Sequence, residues 1–177
     1  MKTPIRLRHC RTALRGLAGV GLAIAAIAAC GADITSQPNL GAEGAKTLVA
    51  IAIDYAREHR APGAAVAVVD AAGTLVYFAR LDGTFANAST ISIGKARTAA
   101  LFGKPTRVFE DAVNQGRYTM LALPEIAAFT PLMGGVPVEV GGRVAGAIGV
   151  SGAASAAQDD EIASAAAKRF AASATVE

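Results

Sequence analysis

Apolar residues recur along this chain with two different periods. From Ala42 to His59 they return at helical spacing, with Leu48, Ile51, Ala52 and Tyr55 at i, i+3, i+4 and i+7. Arg57, His59 and Arg60 crowd the last turn, where cations suit the helix dipole. Ala61-Pro62-Gly63 ends that helix. Ala64–Asp70 is apolar at nearly every position and predicts a strand covered on both faces. Asp70-Ala71-Ala72-Gly73 has the Asp-first, Gly-last order of a type I turn, and Thr74–Leu81 returns as the second strand of a hairpin. Ala86–Phe102 predicts a second helix, capped by Ser89 or Thr90 and stopped at Gly103-Lys104-Pro105. Thr106 is placed to cap a short helix running to Asn114. Residues 115–133 read as irregular. A second hairpin follows, Val136–Val140 and Arg143–Ser151, joined by Gly141-Gly142, a pair suited to positive φ. Ala156–Ala172 is the last helix, with Ile162, Ala166 and Phe170 as a thin apolar stripe and Asp159, Asp160 and Glu161 in its first turns. The order is helix, hairpin, helices, hairpin, helix. That is α+β with an antiparallel sheet, not the alternating βαβ of a dinucleotide fold.

The first 30 residues break this pattern. They carry Lys2, Arg6, Arg8, Arg11 and Arg15, no acid, and an uncharged apolar run from Gly16 to Ala29. A basic head, a short apolar core and small residues at its end predict a secretory signal, residues 1–30. No Arg-Arg pair is present, which favours the general secretory route over the twin-arginine one. Ile27-Ala28-Ala29-Cys30 resembles a lipobox, in which Cys30 becomes the lipidated N-terminus; the alternative is ordinary cleavage after Ala32. Lipidation would give stable membrane anchoring. Residues 31–41 then read as a tether and 42–174 as the domain. The expected location is exported, in the periplasm or as an envelope lipoprotein.

Charge changes meaning once that segment is removed. The 177-residue chain has 17 Lys and Arg against 14 Asp and Glu, a formal charge of +3. Five of the cations and none of the acids precede Cys30, so the mature charge is −2. The basic total therefore gives no support to a nucleic-acid partner. Cys10 leaves with the signal, and no cysteine follows Cys30, so thiol catalysis and disulfides are excluded from the domain. His59 is the sole histidine of the mature chain, which excludes clustered-histidine metal sites and leaves a Ser-His-Asp triad no histidine but one at a helix end. Dedicated catalytic machinery is not visible. Arg80, Lys95 and Arg97 either share one cleft as an anion site or stand as separate surface cations. The glycines of Gly146–Gly152 lie within a strand pattern, where glycine marks close backbone approach or the floor of a pocket.

Several runs together resemble one family: Val66–Asp70 with Gly73, Ala79-Arg80-Leu81-Asp82-Gly83, Lys95–Ala100, Lys104-Pro105-Thr106, Gly134–Val138, Val144–Gly152 and Gln158-Asp159. In this order they resemble the GlcG/HbpS-like haem-binding family, also called haem-degrading and related to the C-terminal domain of PduO-type proteins. The resemblance implies a profilin-like antiparallel sheet of about five strands with helices on both faces, a homo-oligomer, and haem as ligand. It implies an iron-ligating Thr just before the Gly-Gly-x-Pro hairpin, for which Thr130 is the nearest match. For a PduO-type histidine ligand the matching type is His59. The acidic E-x-x-E iron motif of some secreted members is absent, the stretch reading Thr90-Ile91-Ser92-Ile93. A haem site needs an apolar slot, cations for the propionates and an axial ligand. Phe129, Leu132, Met133, Ile126 and Leu121 are candidates for the slot, Lys95 or Arg97 for a propionate, and Thr130, Tyr118, Met120, Met133 and His59 for the iron. Three functions are compatible with these residues and the resemblance. The first is an exported haem-binding protein that buffers, transports or senses haem, with degradation as an oxidative side reaction. The second is an accessory protein or enzyme for small organic acids, with Arg80, Lys95 and Arg97 holding a carboxylate. The third is a structural oligomeric module.

Overall fold

Val66 and Val68 turn to one side of a sheet and Ala67 and Val69 to the other, and all four are fully buried. They belong to β1 (Ala65–Asp70), the strand the sequence marks as covered on both faces. In the computed structural model, which describes residues 36–125 and 129–173, β1 lies inside a four-stranded antiparallel sheet. Its neighbours are β2 (Leu75–Arg80) and β4 (Arg143–Ser151), and β3 (Gly135–Val140) pairs with the far side of β4. Among the described residues the two hairpins supply every strand, so the sheet has four strands rather than about five. The α+β class, the antiparallel sheet and helices on both faces stand as expected.

The two faces are covered unequally. Val66, Val68, Ile148 and Val150 pack under α1 (Ala42–Glu58) and α4 (Ala156–Ser173), whose Leu48, Val49, Ile162 and Ala166 complete the larger core. Truncating a fully buried Leu48 or Ile162 to Ala would destabilise by about 2–5 kcal/mol. The opposite face meets a single helix, α2 (Ala88–Phe102), through Ala67, Val69 and Ala147 against Ala96, Ala99 and Ala100. Small residues let this helix lie almost on the sheet backbone. A Cβ on Gly149 would come within 2.6 Å of the Ala96 nitrogen. The glycine of this strand therefore marks a close approach, as its position in the strand pattern suggests.

Beyond α2 come α3 (Arg107–Asn114) and a 3-10 helix, Tyr118–Glu125, within the stretch that reads as irregular. Thr106 does not cap α3. Its backbone is already helical, and its hydroxyl instead accepts from the Gly135 N–H at 2.8 Å. The last residues assigned to the tether also lie on the domain. Leu40 is buried and its N–H donates to the Ala145 carbonyl, Asn39 Oδ1 accepts from Ala71, and Arg143 donates to the Ser36 carbonyl at 2.6 Å. Residues 1–30, read above as a signal sequence ending at Cys30, and Ile126 fall outside the described residues.

Candidate functional site

One face of α2 presents Thr90, Ile93, Gly94 and Arg97, at i, i+3, i+4 and i+7. With Leu75 at the start of β2 and Phe129-Thr130 in the segment before β3, these residues line an open groove of about 370 Å³. Phe129 is 6% exposed and is fixed by edge-to-face contacts with Phe102 and Phe109, each at a centroid distance of 5.3 Å. The Thr130 N–H donates to Thr98 Oγ1 at 2.6 Å, and the Thr98 hydroxyl donates to the Gly94 carbonyl. Gly94 is necessary for this geometry, because a Cβ there would clash with Thr130 Oγ1 and approach its Cβ to 3.2 Å. Arg97 is oriented by an Nε–H bond to the Gly73 carbonyl at 3.1 Å. The result is an apolar slot with one guanidinium and two hydroxyl groups.

The segment carrying Thr130 is tied down on its far side by polar side chains. Met133 N–H donates to a Glu110 carboxylate oxygen, Gly134 N–H to Asp160 Oδ1 at 3.3 Å, and Gly135 N–H to Thr106. Asp160 also pairs with Arg107 at 3.1 Å. Burial raises the Asp160 carboxyl above the usual aspartate range, and the Arg107 guanidinium pulls it back part of the way. Next to it, Lys95 Nζ lies 2.9 Å from both Asp159 Oδ2 and the Val150 carbonyl, with Lys95 2% and Asp159 8% exposed by side chain. Asp159 additionally accepts from the Ala153 N–H. Asp159 and Asp160 thus belong to the interior, although the sequence presents them as an ordinary acidic helix start.

Of the residues singled out in the sequence, the structure brings Phe129, Thr130 and Arg97 into one groove. Lys95 is not in it, because its ammonium is turned inward to Asp159. Arg80 is also elsewhere. It pairs with Ala65 at one end of β2, whereas Arg97 reaches the Gly73 turn at the other. The three cations therefore form no common carboxylate cleft. His59 sits at the end of α1, stacked on Tyr55 at 3.8 Å, on the face opposite α2. Met133 is half-buried beside α3, held by its backbone rather than facing the groove. Leu75 and Gly94 were not singled out by sequence reading, and Thr90 and Ile93 entered it only as a cap candidate and as the stretch without the acidic motif, although the helical spacing of Thr90, Ile93 and Gly94 with Arg97 was available. Thr90 and Ile93 occupy the two positions where the resemblance places acids in some members, so the groove has no carboxylate there. A second groove beside α4 is lined by Arg107, Asp160, Ser164 and Lys168, and its Arg107 is already engaged by Asp160 and Ser164.

The family model for the haem-degrading HbpS-like proteins matches residues 40–168, nearly all of the described fold. The chain belongs to the HbpS-like family. GlcG of Escherichia coli K12 is 44% identical over 86 residues, which is 49% of this chain and 62% of that relative's length. A double mutant of HbpS from Streptomyces reticuli superposes with a TM-score of 0.70 at 30% identity, covering 84% of this chain and 98% of that one. A crystal structure of PduOC in complex with haem is similar at a TM-score of 0.63 and 25% identity, over 73% of this chain and 94% of that one. Family membership and these neighbours support a haem-related function for this chain.

Proposed function

We propose that this HbpS-like protein binds haem in the groove between β2, α2 and Phe129-Thr130. The observation that carries the reading is the convergence of Phe129-Thr130 and Arg97, from two separate stretches of the chain, on one slot. Leu75, Ile93 and Phe129 would hold the flat macrocycle, Arg97 a propionate, and the Thr130 hydroxyl would stand at the iron. A threonine hydroxyl is a weak ligand, and the groove is small and open for such a ligand. Both properties fit loose, exchangeable binding, which suits buffering or transfer of haem. Sensing through an acidic pair is not supported, since Thr90 and Ile93 stand in its place. The organic-acid reading loses its basis with the dispersal of Arg80, Lys95 and Arg97. Export, lipidation at Cys30 and self-association belong to the same proposal, supported by the sequence pattern and the family.

The test is absorption titration with haemin. Wild type should give a saturable Soret shift at one haem per chain. Thr130→Ala should alter the spectrum, and Arg97→Ala should weaken binding several-fold with the spectrum retained. No Soret shift in wild type, or titrations identical in all three, would remove the assignment. Cys30→Ser should move the protein from the membrane to the soluble fraction, and unchanged fractionation would remove the lipidation reading.

A further inference from the structure

The end of the domain where the chain enters combines exposed apolar side chains with cations. Ser36, Gln37 and Asn39 are bonded to Arg143, Val144 and Ala71, so the chain reaches the fold beside the β1–β2 and β3–β4 turns. The C-terminal end of α2 is at the same place, because Leu101 packs over Gly73, with its side chain 3.4 Å from where a Cβ would lie. Leu101 is 50% exposed, Leu75 39% and Phe102 37%. They lie at the same end of the domain, since Leu101 packs over Gly73, two residues before Leu75, and Phe102 is the last residue of α2. Three cations belong to the same end: Arg97 reaches the Gly73 carbonyl, and Lys104 and Arg143 flank Gly103 and Val144, which lie side by side. Against them stand Glu139 and Asp70, whose carboxylate is engaged by the Ala72 and Thr74 amides.

Only five residues separate Cys30 from Ser36, a covalent reach of about 20 Å at full extension. Resting on the reading of Cys30 as lipidated, we propose that this end of the domain lies on the lipid surface that holds the anchor. Leu75, Leu101 and Phe102 enter the boundary between headgroups and acyl chains, and Arg97, Lys104 and Arg143 meet anionic headgroups. Three half-exposed side chains orient a tethered domain rather than anchor a free one. Because Leu75 also walls the groove, the groove opens against the membrane, where a lipophilic planar ligand concentrates. Ligand would then pass between bilayer and protein without crossing bulk water.

The chain contains no tryptophan, so a single introduced one reports on its own surroundings. Leu101→Trp probes the proposed face. Phe85→Trp is the control, since Phe85 is 53% exposed beside Gly152 at the opposite end of β1 and β4. The full chain, made in a lipoprotein-processing bacterium and extracted from its membrane, is reconstituted into phosphatidylglycerol–phosphatidylcholine vesicles containing lipids brominated near the carbonyl end of the acyl chains. The Leu101→Trp emission should fall at least two-fold and shift to the blue, while the Phe85→Trp emission stays unchanged. Equal quenching at both positions overturns the proposal. So does absence of quenching at Leu101→Trp, including an emission already blue before vesicles are added because a second copy covers the face. The intact mass reports on Cys30 separately: a chain without added lipid overturns the anchoring reading and the membrane face that rests on it, whereas a lipidated chain without quenching at Leu101→Trp overturns the face alone.

Discussion

Replacing Lys95 by Met should damage the fold and leave the ligand site intact. Lys95 is 2% exposed, and its ammonium has Asp159 and the Val150 carbonyl at 2.9 Å. Met keeps most of the stem's volume and removes the charge. The Asp159 carboxylate then remains buried with the Ala153 N–H as its hydrogen-bond donor. Removing one partner of a buried pair costs about 3–5 kcal/mol, because the other charge is left uncompensated. For a domain of this size each kcal/mol moves Tm by about 3–4 °C, so a drop of about 10–20 °C is expected. Asp159→Leu alone should lose a similar amount. The double variant Lys95→Met/Asp159→Leu should recover at least about 2 kcal/mol relative to the sum, since an apolar pair replaces an ionic one. Urea unfolding of the four proteins gives the coupling directly. A loss below about 1 kcal/mol for Lys95→Met would mean a solvated pair, comparable to surface ones, and would refute the reasoning. An unchanged Tm with weakened haem binding would refute it too, by returning Lys95 to the ligand.

Gly94→Ala should weaken haem binding at least five-fold in the Soret titration, because the new methyl displaces the Thr130 hydroxyl; its Tm should move little, as helix propensity gained offsets overpacking. Asp160→Asn tests the effect of burial on that carboxyl. A raised folded pKa means that the native state holds the proton more tightly, so wild-type stability relative to Asn should fall as pH rises from the ordinary aspartate value, about 4, through the folded one. Urea midpoints at a series of pH values would show it, and a relative stability that rises with pH contradicts it. His59→Ala should leave the haemin titration unchanged, since His59 stacks on Tyr55 on the face away from the groove; a lost Soret shift would move the site to that face.

Local signals carried most of the fold. Gly141-Gly142 and Asp70–Gly73 fix both hairpins, and the strand edges fall within a residue or so of those read from the pattern. The helices were equally legible, because Leu48 with Ala52 and Ile162 with Ala166 repeat at the spacing their packing requires. What was not legible depends on partners far apart in sequence. Lys95 reads as a surface cation until Asp159, 64 residues on, is placed beside it. Thr106 reads as a cap until Gly135 takes its hydroxyl. The polar composition of residues 36–39 gives no hint of the bonds to Ala71, Val144 and Arg143. At the site, Thr130 and Phe129 were found through the resemblance and Arg97 by its charge. Gly94, Thr90 and Ile93 are ordinary helical residues until the Phe129-Thr130 segment lies over them.

The central claim is that haem occupies the slot on the open side of α2. Filling that slot tests it most directly. Thr90 is exposed on the groove wall, so Thr90→Trp would place an indole in the slot without disturbing the core. Ser164→Trp fills the separate groove beside α4 and serves as the control. Haemin titrations of the two variants at matched Tm should show at least a tenfold loss for Thr90→Trp and none for Ser164→Trp. Wild-type affinity in Thr90→Trp, or an equal loss in both, would contradict the placement of haem in this groove.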